Sequence, residues 1–127
     1  MYKKIVVGYD DSGRSLRAVE EAANLASSLG ASLHLVNAVD ADAAPDGVDL
    51  GEKRLADVAE NYADLEVTVK SASGPPASVL VSEAERVGAD LIIVGNRNVQ
   101  DVTRILGNVA ESVAHNAKCA VLIANTQ

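Results

Sequence analysis

A chain of 127 residues, 48% of them apolar, fits one domain with a sizeable core and leaves no room for a second domain of ordinary size. The core has to be aliphatic, because Tyr2, Tyr9 and Tyr62 are the only aromatic residues. A formal net charge of −7 excludes nucleic acid and anionic membrane surfaces as partners, since both select an excess of Lys and Arg.

The chain enters its first strand without a basic-then-apolar leader. Ile5 to Tyr9 is apolar on both faces, as buried parallel strands are. From Arg14 to Leu29, apolar residues at Leu16, Val19, Ala22, Ala23, Ala26 and Leu29 follow a helical period, and Gly30 stops the helix. Leu33 to Val39 reads as a second strand, and Asp40 to Leu50, rich in Ala, Asp, Gly and Pro, as a surface loop. Glu52 to Tyr62 carries a weaker helical pattern, and Leu65, Val67 and Val69 alternate as a third strand. Gly74-Pro75-Pro76 breaks the chain, with Pro76 suited to the first turn of a helix over Ala77 to Val87. Ala89 to Val94 is a fourth strand, Gly95 to Gly107 a loop, Val109 to Ala117 a short helix and Ala120 to Ala124 a fifth strand. The lone Cys119 excludes an intramolecular disulfide and sits in an apolar stretch, so it reads as a small buried hydrophobe. No apolar run approaches the roughly 20 residues that cross a bilayer, and the cytoplasm is the expected compartment.

Strict alternation of strand and helix across residues 1–127 predicts a single α/β domain with a mostly parallel sheet covered on both faces. Val6, Leu35, Ile92, Val94, Val121 and Ile123 are its expected buried strand positions. Ligands in such sheets bind beyond the carboxyl ends of the strands, where strand order reverses. Attention therefore falls on Tyr9–Gly13, Val39–Asp42, Ser71–Pro76 and Gly95–Asn108.

Asp10 ends the first strand, where a carboxylate accepts hydrogen bonds from a ribose or holds a cation; Asp11 or Ser12 serves as the helix cap. Gly95-Asn96-Arg97-Asn98 and Gly107-Asn108-Val109 bracket the fourth loop. Amides at the start of the helix that follows form an anion site, the glycines admit a phosphate to the main chain, and Arg97 and Arg104 add charge. The competing reading is a plain surface loop closed by Asn108-x-x-Glu111 as a capping box. Neither common phosphate fingerprint is present. His34, inside a strand, and His115, inside a short helix, lack companions at metal-ligand or catalytic spacing and read as structural. Nothing in the pattern demands an enzyme.

These segments together resemble the universal stress protein family. The resemblance rests on Lys4-Ile5-Val6-Val7-Gly8-Tyr9-Asp10-Asp11-Ser12, Gly74-Pro75-Pro76-Ala77, Ala89-Asp90-Leu91-Ile92-Ile93-Val94-Gly95 and Leu106-Gly107-Asn108-Val109 before a Val-Leu-Ile strand. It implies a five-stranded parallel sheet in the order 3-2-1-4-5, similar to the adenine nucleotide alpha hydrolase-like folds. It also implies ATP or AMP as ligand, Mg²⁺ accompanying ATP, and a homodimer through Ala120 to Ala124. The family's ATP-binding branch carries Gly, two residues, Gly, nine residues, Gly and then Ser or Thr. By position Gly95 and Gly107 match the first and third glycines, Asn98 replaces the second, and Asn108 stands where the hydroxyl is expected. The spacer before Gly107 has eight residues. Asn98 tolerates the positive φ a glycine would adopt. Asp10 falls at the ribose and Ala38 beside the adenine, with Val94 and Val109 flanking. The alternative is the branch that does not bind ATP, acting as a dimeric interaction module. A weak ATPase is a further reading. A signalling receiver is rejected, because strand three ends Thr68-Val69-Lys70-Ser71 without the required aspartate.

Overall fold

The computed structural model describes residues 2–10, 13–40, 42, 45–96 and 107–125. The strands are β1 (Lys4–Gly8), β2 (Ser32–Val39), β3 (Val67–Ser73), β4 (Leu91–Asn96) and β5 (Ala120–Asn125). The helices are α1 (Gly13–Leu29), α2 (Gly47–Ala59), α3 (Pro76–Val87) and α4 (Asn108–Asn116), with a 3₁₀ turn over Glu60–Tyr62. The sheet is wholly parallel in the order β3-β2-β1-β4-β5, the order expected.

Alternation along the strands sorts the core into two layers. Ile5, Val7, Leu33, Leu35, Leu91 and Ile93 point to the face covered by α1 and by Leu55 of α2. Val6, Val36, Ile92 and Val94 point to the face covered by α3 and α4. The α1 seam is built almost entirely from alanine, at Ala18, Ala22, Ala23 and Ala26 around Val19. Small side chains bring that helix close to the sheet, which is how a core without aromatic bulk is filled.

Of the six strand positions expected to be buried, Val6, Leu35, Ile92 and Val94 are, while Val121 and Ile123 are only half-buried. The reason is positional: β5 has a strand neighbour on one side alone, and the cover it receives from α4 is partial. Leu122, on the opposite face, is 37% exposed. Cys119 is likewise half-buried rather than buried, and its surroundings push its thiol pKa up, first by desolvation and then by the charge of Asp90.

Strand β4 lies two residues beyond the Ala89–Val94 reading and takes in Gly95 and Asn96, and two elements depart further. Helix α2 starts at Gly47, inside the stretch read as loop, because Asp49 in its first turn suits the helix dipole and Gly51 allows close docking on the sheet. Strand β3 runs from Val67 to Ser73 because its pairing with β2 continues to Val39↔Ser73.

Two polar anchors fix the layers. The Asp90 carboxylate accepts the backbone N–H groups of Lys3 (2.8 Å) and Lys4 (3.1 Å), tying the entry to β1 to the entry to β4. Desolvation pushes the Asp90 pKa up, but these N–H bonds outweigh it and hold the carboxyl below its ordinary range. The second anchor lies between β2 and α3. His34 and Glu83, both buried, are joined Nε2 to Oε1 at 2.9 Å, while His34 Nδ1 shares a hydrogen bond with Thr68 Oγ1 on β3. Arg86, one turn along α3, places its Nε 3.0 Å from each Glu83 oxygen. The Arg86 hydrogen bonds are the main reason the Glu83 pKa lies below the usual carboxylate value; desolvation opposes them and His34 adds to them. An ionised carboxylate only accepts, so His34 Nε2 carries the hydrogen of that bond. His34 is thus a structural residue, as its isolation in sequence implied.

Because its pKa is lowered on folding, Glu83 contributes stability that is fully present above about pH 4.5 and is lost as pH falls through its folded value. Acid titration followed by urea unfolding should show this loss in the wild type. Glu83→Gln should flatten that part of the profile and, at pH 7, cost about 1–3 kcal/mol, the range for a disrupted buried hydrogen bond. A Cβ at Gly51 would overlap Ser71 Oγ and stand 2.6 Å from Asn37 Nδ2. Gly51→Ala gains about 1 kcal/mol of helix propensity but overpacks by up to about 3 kcal/mol, so denaturant titration should read a net loss of about 1–2 kcal/mol.

Candidate functional site

All five strands run the same way, so their carboxyl ends meet at one rim of the sheet. Between β1 and β4 the chain reverses its direction of progress across the sheet, with α1 on one face and α3 and α4 on the other. A cavity of about 400 Å³ opens at this rim. Its floor is apolar: Val36 of β2, Val94 of β4 and Leu80 of α3. Gly8 closes β1 beneath it, and a Cβ there would stand 3.2 Å from Leu80 Cδ1, so the glycine lets Leu80 reach the floor.

The β1 side is set by two hydrogen bonds. Tyr9 N–H donates to Val36 C=O at 2.8 Å, extending the β1–β2 pairing, and Asp10 N–H donates to Ser15 Oγ at 3.1 Å. Asp10 is thereby held at the exposed rim, with Ala38 of β2 in the same lining. Asp10 is the one charged side chain among the described lining residues.

The opposite wall is the start of α4. Gly107 occupies the N-cap position with φ −65° and ψ 161°, an extended conformation open to any residue, so space rather than backbone freedom is what the glycine provides. No side chain among the described residues caps this helix. The competing Asn108-x-x-Glu111 box does not form, because Asn108 is already the first helical residue and Gly107 has taken the capping place. The first intrahelical bond runs from Glu111 N–H to Gly107 C=O. Among the described residues nothing accepts from the amides of Asn108, Val109 and Ala110, and all three residues line the cavity. Ala110 is buried, so its amide has little water to turn to.

Of the residues singled out from sequence, Asp10, Ala38, Val94, Gly95, Gly107, Asn108 and Val109 come together around this one cavity. Arg97, Asn98 and Arg104, together with the cap candidates Asp11 and Ser12, lie outside the described residues. Ser15, Asn96, Pro76 and Leu80 also line it, although sequence reasoning named none of them as a binding residue. Asn96 and Pro76 fell inside the loops marked by topology. Leu80 read as helix core, which it also is, and Ser15 carried no signal of its own. His115 is exposed on α4, 4.0 Å from Glu111 and away from the cavity lining.

Residues 1–125 match the universal stress protein family. The chain belongs to that family. It is 34% identical to a universal stress protein of Mycobacterium tuberculosis, covering 98% of this chain and 97% of that one. A second relative, from Methanocaldococcus jannaschii, is 31% identical over 97% of this chain and 82% of its own length. Among solved structures, a universal stress protein in complex with cAMP is 33% identical with a TM-score of 0.80, covering 99% of this chain and 98% of that one. A universal stress protein of Lactobacillus plantarum has a TM-score of 0.81 over 98% of each chain at 21% identity, a likeness of fold.

Proposed function

We propose that this universal stress protein binds an adenine nucleotide, ATP or AMP, in the cavity at the ends of β1 and β4. The observation that carries the reading is the start of α4. Three residues whose amides have no acceptor among the described residues line a cavity whose floor is apolar, the pairing of features that a phosphate attached to a flat base requires. The base lies over Val36, Val94 and Leu80 beside Ala38, the ribose meets Asp10, and the phosphate sits on Asn108, Val109 and Ala110. A structural relative at 33% identity in complex with cAMP supports the adenine nucleotide class.

Where ATP is the ligand, an accompanying Mg²⁺ would draw on Asp10 and on the phosphates themselves. The described lining offers Asp10 alone as a carboxylate, and no group of three ligating side chains occurs among the described residues. We take the protein to be a binder rather than an enzyme, with Asp10 and Ser15 of the described lining serving to shape the rim, where Ser15 Oγ accepts Asp10 N–H. The cytoplasm, where adenine nucleotides abound, is the compartment this function fits, and no described helix is long and apolar enough to cross a membrane.

The working unit is a homodimer through β5. That strand has one free edge, with Leu122 exposed on the α1 face and Val121 and Ile123 half-buried on the other. An unpaired apolar edge invites another strand, and a two-fold partner presenting the same strand antiparallel closes it symmetrically.

Isothermal titration should detect AMP or ATP at up to millimolar concentration, and Gly107→Val should abolish that binding by placing methyl groups in the phosphate space. No heat with wild-type protein would sink the nucleotide reading and leave the dimeric interaction module. For assembly, sedimentation of the wild type at micromolar concentration should give a dimer. Leu122→Lys should give a folded monomer with an unchanged circular dichroism spectrum. A monomeric wild type defeats the β5 proposal.

A further inference from the structure

The segment 97–106 leaves the sheet at Asn96 and returns at Gly107, and one hydrogen bond joins its two ends. Gly107 N–H donates to Asn96 Oδ1 at 3.0 Å. Asn96 is a fixed point. It is the last residue of β4, in register with Asn125 of β5, and the strand beneath it is buried from Leu91 to Val94. Gly107, in turn, is the N-cap residue of α4. The bond therefore ties the start of a short helix directly to the rigid end of a strand.

Two consequences follow for the cavity. The N-cap amide is already satisfied, so the amides left to an anion are those of Asn108, Val109 and Ala110. Their position relative to the apolar floor is set by the packing of Ala110 and Val113 and, at the first turn, by the bond to Asn96. Resting on the nucleotide reading above, we propose that Asn96 is the positioning residue of the phosphate subsite. Its side-chain carbonyl holds the α4 amides at the distance from the base pocket that a nucleotide spans. The side-chain carbonyl is the working group, because an acceptor at that place is what Gly107 N–H needs.

The test separates the clamp from the ligand. Amide exchange at Gly107 is followed by NMR, and affinities for AMP and for adenosine are measured by titration, in the wild type, Asn96→Ala and Asn96→Asp. The Gly107 amide should exchange slowly in the wild type and in Asn96→Asp, which keeps an acceptor, and quickly in Asn96→Ala. Loss of one hydrogen bond's worth of placement should weaken AMP about tenfold in Asn96→Ala while leaving adenosine affinity unchanged. Asn96→Asp should also weaken AMP, through a carboxylate beside the phosphate, and again spare adenosine. If Asn96→Ala does not fold, Asn96→Gln, with its acceptor one methylene further out, should show the same AMP-specific loss. Equal weakening of AMP and adenosine, or unchanged AMP affinity in Asn96→Ala, overturns the positioning role. Fast exchange at Gly107 in the wild type overturns the clamp and, with it, the positioning role. A wild type that binds neither ligand overturns the nucleotide reading and this proposal together.

Discussion

Strand β1 is hydrogen-bonded on both edges, to β2 and to β4, and its three central side chains, Ile5, Val6 and Val7, are fully buried on the two faces. No other constraint reaches as far. A strand paired on both edges must lie inside its sheet; this five-residue strand is the middle one of five, so the chain winds outward from it on one side and then on the other. The carboxyl ends of β1 and β4 consequently stand side by side with no crossover helix between them. The cavity is what remains where the two halves of the winding diverge.

Given that frame, few polar contacts are needed to make the halves rigid. Asp90 binds the first residues of β1 from the foot of β4, and the His34–Glu83–Arg86 cluster binds α3 to β2 one step below the floor formed by Val36 and Leu80. Both depend on carboxylates kept ionised by the donors around them. The buried charge of Glu83 is tolerable because each of its oxygens has a donor, and no buried side-chain polar atom among the described residues lacks a partner.

The parallel sheet, its two-layer core and the rim at which the cavity opens were legible from alternation and from the position of apolar runs, whereas the strand order came from the family resemblance. The opaque parts had specific causes. The start of α2 was hidden by Asp46-Gly47, residues that serve loops and helix starts equally, and by Gly51, whose reason lies across the sheet at Ser71 and Asn37. The exposure of Val121 and Ile123 could not be read from an apolar run, because the run looks alike in a central and an edge strand. Asn108 matched a capping pattern by spacing, but Gly107 lies one residue nearer the loop and took the cap. Ser15 and Asn96 were illegible for a shared reason. Each acts by accepting a backbone N–H from a partner whose position only the folded chain defines.

Those two acceptors lie at comparable places. Ser15 receives Asp10 N–H at the exit of β1, and Asn96 receives Gly107 N–H across the exit of β4. In each case the ends of a connection are stapled where it leaves the sheet, so the geometry of the rim does not depend on how many residues lie between the staples. Closing a longer or shorter connection changes loop entropy only slowly, by about 0.6 kcal/mol for each doubling in length. The segment 97–106 is one residue shorter than the family's ATP-binding pattern, and with Asn96 and Gly107 joined that deletion has no need to shift the start of α4. A change in the length of either connection is therefore absorbed between its staples, and the rim keeps its shape.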